Sequence, residues 1–235
     1  MTLLRHHFAA ANERGAFGRL PSETLARVAA ASRTLRVPAG RTIFRKGDPG
    51  DGCYLILEGA LKVTLSPSGG QEVLLAILGR GDVVGEMALL DNLPRSATVT
   101  AARTSELCCL SPSTFARLAQ TDAEIARQLL RVVTARLRAG NEAYALHHMS
   151  LRVRIAGALQ HLALRFGERL PDGRILIRQK VSQAELGQMV GAARENVNRQ
   201  LTEWRRDRLL SRINGYYCLE SPSAIEQLAQ GDAAA

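Results

Sequence analysis

The sequence lacks the features of a secreted or membrane-spanning chain. None of its apolar runs approaches the ~20 residues that a membrane-spanning helix needs. Residues 1–15 carry charges and no long apolar core, so they do not form a signal peptide. We therefore expect a cytoplasmic protein that makes no contact with a membrane.

Cysteine is scarce, and its spacing excludes a zinc site. Cys53, Cys108, Cys109 and Cys218 include none of the close-spaced pairs that zinc-binding motifs use. Three of them lie in apolar or aromatic runs, where a buried thiol is the usual outcome, and this fits a reducing compartment. No Ser/His/Asp or Cys/His set suggests catalysis, so we expect neither a metal centre nor an enzyme.

Lysine is almost absent, yet the chain is basic. There are 31 Lys+Arg against 22 Asp+Glu, which gives a formal net charge of +9 and favours an anionic partner such as nucleic acid or an acidic membrane surface. Residues 1–149 hold 18 basic and 13 acidic residues, whereas residues 150–235 hold 13 and 9. Because the excess is shared by both parts, charge alone points to no domain.

The pattern of apolar residues differs between two parts of the chain. Between Leu35 and Leu110, short apolar runs alternate with glycine-rich turns, which predicts a small antiparallel barrel or sandwich. After Ser113 the strand signal disappears, and apolar residues repeat every seven positions, which predicts a long helix with a seam for an identical helix. The alternative is that this helix packs only against its own barrel. The seam residues are Leu130, Val133, Leu137, Gly140, Tyr144, His147 and Leu151.

The segment 85–99 carries the densest chemistry of the chain. Gly85 precedes a short helical turn, where the backbone can approach a ligand and free N–H groups can receive an anion. Arg95 can fork onto a phosphate, and Ser96 can add a hydroxyl donor. Glu86 would repel a phosphate but can accept a hydrogen bond from a sugar hydroxyl. A ligand that has both groups is a nucleotide.

A second motif, over residues 181–201, has the texture of a helix-turn-helix. Ser182 and Glu185 form a capping box, and Gly191 suits the tight turn. The second helix has a predicted buried stripe of Val197, Leu201 and Trp204. The polar residues of its first turns project where a recognition helix meets base edges. They are Arg194, Glu195, Asn198 and Arg199.

The segment 85–99 resembles the phosphate-binding cassette of cyclic nucleotide-binding domains, and Gly191–Arg199 resembles the recognition helix of the catabolite activator, or cyclic AMP receptor (CRP/FNR), family. Over residues 20–220 the chain is similar to these bacterial transcription regulators. The resemblance implies an α+β chain. Its parts are a cyclic nucleotide-binding β-roll (a double-stranded β-helix) over 1–120, a dimerisation helix over 121–150, and a winged helix-turn-helix over 151–235.

The resemblance also implies site residues for the ligand. Glu86 would bind the ribose 2′-OH, Arg95 and Ser96 the cyclic phosphate, and the backbone of Gly85, Glu86, Met87 and Ala88 would assist. Gly140 and Asn141 stand where the family's dimer helix supplies two hydroxyls to adenine, and this is a departure from the family pattern. Gly140 has no side-chain donor, whereas the amide of Asn141 could serve adenine or guanine, so the implied effector is cAMP or cGMP. The alternative is a structural ion pair between Glu86 and Arg95 in a barrel that binds nothing.

On DNA, the resemblance implies that Arg194 and Arg199 each read a guanine and that Glu195 accepts from cytosine. TGTGA-like half-sites in a palindrome follow for a homodimer. Gln183 would contact phosphate and Arg212 would belong to the wing, unless Arg212 is a solvated charge. The loop 167–173 is a candidate contact with RNA polymerase. The ligand would shift the helix pair so that both recognition helices reach major grooves ~34 Å apart.

Two rivals to this interpretation remain at this stage. One is a regulator of the same fold that needs no nucleotide or senses haem or redox state. The other is a cyclic nucleotide module that acts on protein partners, which the helix-turn-helix motif argues against.

Overall fold

The computed structural model describes residues 21–66, 72–146 and 148–231. The chain divides into two compact units between Ala139 and Gly140, and Val73–Leu75 group with the second unit. Within the described ranges, no helix is both long and apolar enough to cross a membrane.

The first unit is built from eight strands and a few helices. Its elements are α1 (Ser22–Ala31), β1 (Arg33–Val37), β2 (Thr42–Phe44), β3 (Cys53–Glu58), β4 (Ala60–Leu65), β5 (Val73–Gly79), β6 (Val83–Val84), α2 (Glu86–Asp91), β7 (Thr98–Ala101), β8 (Ser105–Leu110) and α3 (Pro112–Thr121). They form two four-stranded sheets, with strand orders β1-β8-β3-β6 and β2-β7-β4-β5. The predicted β-roll is thereby confirmed.

Strand β3 shows why its sequence is continuously apolar. A strand that is buried on both faces needs apolar side chains at every position rather than at alternate ones. Tyr54 and Ile56 belong to the core cluster that residues of both sheets share, whereas Cys53, Leu55 and Leu57 belong to a second cluster with residues of the helices. Each face of β3 therefore packs against a different layer.

Helix α4 (Ala123–Leu146) is the long helix that the heptad pattern predicts. Of the seam residues, Leu130 and Leu137 are 55% and 66% exposed, so these two are not packed into the barrel core. Tyr144 is 73% exposed. Other residues of α4, such as Ile125 and Leu129, supply the contact with the barrel core.

The heptad prediction was wrong at its last position. The helix ends at Leu146, and Leu151 begins a new helix, α5 (Leu151–Phe166). The Ser150 hydroxyl caps this second helix by accepting from the backbone N–H of Val153 at 3.4 Å. A capping serine starts a helix and does not continue one, and this interrupts the seam. His147 lies outside the described residues.

The second unit holds the helix-turn-helix and a small sheet. After α5 come β9 (Gly167–Arg169), β10 (Ile175–Ile177), α6 (Gln183–Val190), α7 (Arg194–Arg206), β11 (Leu210–Ile213), β12 (Tyr216–Leu219) and α8 (Pro222–Gln230). The sheet order is β11-β12-β10-β9. The segment 167–173 was expected to be only a turn, but its first three residues pair with β10. Helix α8 was not predicted.

Candidate nucleotide pocket and DNA-reading face

A small cavity lies at the start of α2, where the sequence predicts the nucleotide site. Gly85 has a φ of +79°, and a Cβ at this position would overlap Nη1 of Arg95. Only glycine leaves the space that the guanidinium occupies. The free volume is about 40 Å³. The lining residues are Phe44, Val63, Val84, Gly85, Glu86, Met87, Ala88, Arg95, Ser96, Ala97, Val99 and Arg136.

Arg95 is buried, with 2% of its surface exposed, and it lies across the floor of this cavity. Its Nη1 donates to the Gly85 carbonyl at 2.8 Å, and its Nη2 donates to the Gly52 carbonyl at 2.7 Å. The guanidinium also stacks over the ring of Phe44, with its carbon 4.1 Å from the ring centroid. Its Nε is buried and has no hydrogen-bond partner among the described residues.

Asp51 is the counter-ion of Arg95, although its position in the sequence does not mark it as a site residue. Its carboxylate accepts from Nη2 of Arg95 and, at 2.9 Å, from the Tyr54 hydroxyl. The pKa of Tyr54 is raised, mainly because the side chain is buried and to a lesser extent because it donates to Asp51. The hydroxyl therefore stays protonated and donates the hydrogen bond. The Asp51 side chain is 68% exposed, whereas that of Arg95 is 1% exposed. A buried cation is thus paired with an anion that faces water.

Glu86 is fully buried, and its partner comes from the long helix. Nη1 of Arg136, on α4, donates to Oε1 of Glu86 at 2.6 Å, and Nη2 donates to the Val83 carbonyl. The structural ion pair between Glu86 and Arg95 that we considered is therefore wrong, because each residue has a different partner. The second carboxylate oxygen, Oε2, is buried without a hydrogen-bond partner among the described residues.

Sequence reasoning missed Asp51 and Arg136 for different reasons. Asp51 belongs to a turn rich in glycine and aspartate, where a carboxylate is an ordinary turn former. Arg136 is one of several arginines on α4, and its neighbours in sequence do not distinguish it. The available signal was its position one turn before Gly140, where a ligand contact was already predicted.

The remaining predicted ligand residues lie at the edge of this site or beyond it. The Ser96 hydroxyl donates to the Met87 sulfur at 3.6 Å at the cavity rim. Gly140 and Asn141 are exposed residues of α4 and are not among those that line the cavity.

The four thiols are free, and burial is the first cause of a raised pKa in each. For Cys108 the pKa rises to about 11. Because the thiolate is the reactive form, these cysteines are poorly suited to redox sensing near neutral pH.

The helix-turn-helix in the second unit has the predicted local geometry. Ser182 and Glu185 form the capping box of α6, and Gly191 ends that helix in the left-handed conformation with a φ of +62°. Val197, Leu201 and Trp204 are buried. The hairpin β11–β12 turns at Asn214 and Gly215, both with positive φ, as a two-residue turn requires.

The predicted DNA-reading residues share one exposed face at the start of α7. Arg194, Glu195, Asn198 and Arg199 are all exposed. Arg194 and Asn198 are four residues apart, as are Glu195 and Arg199, and this spacing places the members of each pair side by side on the helix. Arg212, on β11, lies over the ring of Tyr217 with its guanidinium carbon 4.2 Å from the centroid. It is exposed and also donates to the Val181 carbonyl at 3.4 Å, which links the wing hairpin to the residues just before α6.

Comparison with known proteins gives two family matches. A model of the cyclic nucleotide-binding domain matches residues 34–122, and a model of the Crp-like helix-turn-helix domain matches residues 153–228. These two ranges contain, respectively, the cavity residues other than Arg136 and the exposed face of α7.

Similar proteins are named as transcription regulators and not as enzymes. The CRP-like cAMP-activated global transcriptional regulator of Mycobacterium tuberculosis is 34% identical over 194 residues, 82% of this chain and 85% of that protein. The cyclic AMP receptor protein of Thermus thermophilus is 31% identical over 195 residues, 83% of this chain and 87% of that protein. A solved CRP/FNR-family regulator, also from Thermus thermophilus, has a TM-score of 0.71 at 25% identity, covering 84% of this chain and 98% of that one. This chain therefore belongs to the CRP/FNR family of DNA-binding transcription regulators, and it joins a cyclic nucleotide-binding domain to a helix-turn-helix domain.

Proposed function

We propose that this regulator responds to a cyclic nucleotide bound at Glu86 and Arg95. The observation that carries the proposal is two buried polar atoms, the acceptor Oε2 of Glu86 and the donor Nε of Arg95. Both residues line one cavity, and neither atom has a hydrogen-bond partner in the part of the chain that the structure describes. Buried polar atoms are rarely left unpaired in a protein. A ribose hydroxyl and a phosphate oxygen would satisfy the two, and a cyclic nucleotide carries both. Cyclic AMP is the first candidate, because both named relatives take their names from it, and cyclic GMP is the second.

Binding requires the cavity to open. Its free volume of about 40 Å³ holds a few water molecules, whereas small-molecule sites enclose roughly 300 Å³ or more. In the bound state the phosphate would replace Asp51 beside Arg95, with Ser96 and the backbone of Gly85, Glu86, Met87 and Ala88 as further donors. Asp51 faces water, so its release costs little.

Arg136 would link ligand binding at Glu86 to the long helix α4, because it contacts Glu86 and belongs to that helix. A ribose hydroxyl at Glu86 would compete with or reinforce the contact between Glu86 and Arg136, and Arg136 is part of α4. A ligand shifts a conformational equilibrium only by interacting differently with the two states. The contact between Glu86 and Arg136 provides such a difference at the helix that also carries the exposed seam.

We further propose that two copies pair along the α4 seam and read a palindrome. Arg194 and Arg199 would each bind a guanine, Glu195 would accept from a cytosine, and TGTGA-like half-sites would lie one helical turn apart, ~34 Å. The segment 167–173, of which the first three residues form β9, remains the candidate contact with RNA polymerase.

The experiment that tests the ligand is isothermal titration of the full chain with cyclic AMP and with cyclic GMP. We expect micromolar binding of one of them, and a loss of at least ~30-fold in Arg95→Ala, because truncating one member of a buried charge pair costs about 2–5 kcal/mol. Arg95→Lys keeps the charge but cannot fork, so it should also bind weakly.

The matched control for Arg95 is Arg41→Ala, which removes an exposed arginine from the same unit and should bind like the wild type. Circular dichroism checks that each variant is folded. If the wild type binds neither nucleotide, the ligand proposal fails, whereas the family and the DNA-binding domain are unaffected.

A second prediction concerns Asp51. In Asp51→Asn the buried Arg95 loses its counter-ion, so a ligand phosphate supplies more of the missing charge and should bind roughly threefold to tenfold more tightly, after allowance for the exposure of Asp51. The same titration measures this change. Asp48→Asn is the control, because it removes an equal charge from the same turn while its side chain contacts the backbone N–H of Arg45 at 2.8 Å and not Arg95. Equal affinities of the two variants would show that Asp51 does not compete with the ligand.

A further inference from the structure

Two of the predicted DNA-contacting residues are hydrogen-bonded to each other. The amide nitrogen Nε2 of Gln183, at the start of α6, donates to Oδ1 of Asn198, on α7, at 2.9 Å. Gln183 is half-buried and Asn198 is exposed. The family resemblance gave Gln183 a separate contact with phosphate, but here its amide group is turned towards the recognition face.

This bond restricts what Asn198 can offer to a base. A carboxamide has one oxygen, which accepts, and one nitrogen, which donates twice. An asparagine that reads adenine directs both atoms at the same base edge, since it accepts from N6 and donates to N7. With its oxygen turned towards Gln183, Asn198 presents its N–H groups to the groove. It is then suited to the acceptors that distinguish guanine and thymine, namely guanine O6 and thymine O4, because the N7 acceptor is shared by guanine and adenine.

We propose that Gln183 is a positioning residue that makes Asn198 a hydrogen-bond donor, so that Asn198 selects guanine or thymine at one position of the half-site. This inference rests on the proposed role of α7 as the recognition helix. Arg194 precedes Asn198 by one helical turn and Arg199 follows it directly. Both neighbours are also pure donors, so the exposed face would read a run of base acceptors, interrupted by the acceptor Glu195.

A substitution at residue 183 can change which amide atom of Asn198 faces the groove while Asn198 itself is kept. A carboxylate can only accept, so in Gln183→Glu the amide nitrogen of Asn198 must turn towards residue 183, and its oxygen then faces the groove. The preference at one base pair should move from guanine or thymine towards adenine or cytosine, which present amino donors. Asn198→Asp should move it in the same direction, because Gln183 holds one carboxylate oxygen and the other faces the base.

The control is Gln188→Glu, an exposed position on the same helix that adds the same charge. The measurement is fluorescence anisotropy of the full chain, in the presence of excess cyclic AMP, on palindromic duplexes in which each half-site base pair is varied in turn. We expect Gln183→Glu to change the preference roughly tenfold at a single position. Gln188→Glu should weaken all duplexes about equally through repulsion of phosphate.

Three results would overturn the inference. One is a loss of affinity in Gln183→Glu that is equal for all duplexes and as large as the loss in Gln188→Glu. This result would indicate that Gln183 contacts phosphate. Another is an adenine or cytosine preference that is already present in the wild type and is kept in both variants. The third is a wild type that does not discriminate among the duplexes at all, which would also remove the recognition role of α7. The first two results leave that role intact.

Discussion

Leu137→Glu is expected to convert the proposed dimer of this regulator into a monomer. Leu137 lies in the middle of the exposed seam and is 66% exposed in the single chain. In the proposed dimer each glutamate would place a charge against its copy in an apolar interface, where an unpaired charge is strongly disfavoured. A monomer contacts one half-site instead of two, so its affinity for a palindromic duplex should fall by about 10²-fold or more.

Sedimentation velocity reports the mass, and anisotropy on the duplex reports the affinity. The matched control is Ala135→Glu, which adds the same charge to the same helix at an exposed position on nearly the opposite side, since residues two apart lie about 200° apart around a helix. It should remain dimeric. If Leu137→Glu were also dimeric, the seam would not be the interface, and the exposed apolar stripe would need another partner.

Trp204→Ala should destabilise the second unit by about 3–5 kcal/mol, because removal of a fully buried tryptophan leaves a large cavity. This is a large part of the roughly 5–15 kcal/mol that usually separates folded from unfolded protein. Calorimetry should show the melting of this unit at a much lower temperature, and DNA binding should be lost with it. Nucleotide binding should stay within about twofold of the wild type, because every cavity residue belongs to the first unit.

Trp204→Phe separates packing from hydrogen bonding. The indole N–H of Trp204 is buried without a partner among the described residues, so its removal costs no hydrogen bond there. The phenylalanine variant should therefore lose less than half as much stability as the alanine variant. A parallel loss of nucleotide binding in Trp204→Ala would show that the cavity depends on the folding of the second unit. Since Trp204 is the only tryptophan, its fluorescence in the wild type follows the unfolding of this unit directly.

Local patterns accounted for the elements whose side chains interact with near neighbours. The capping box of Ser182 and Glu185 and the left-handed Gly191 were predictable, because each is decided within a few residues. Helix α8 and strand β9 were missed, and so was the break after Leu146. Strand β9 has three residues and exists by pairing with β10, so no local periodicity could reveal it.

The sequence by itself determined the class of the protein, the location of its two motifs and the identity of Glu86 and Arg95 as chemically unusual residues. Only the tertiary structure decided which charges meet. Arg95 pairs with Asp51 from a turn 44 residues earlier, and Glu86 pairs with Arg136 from a helix 50 residues later. The contact between Gln183 and Asn198 spans 15 residues and two helices. Ion pairs and hydrogen bonds act over a few ångströms in space. When two residues belong to different elements, their separation in the sequence does not predict whether they lie that close.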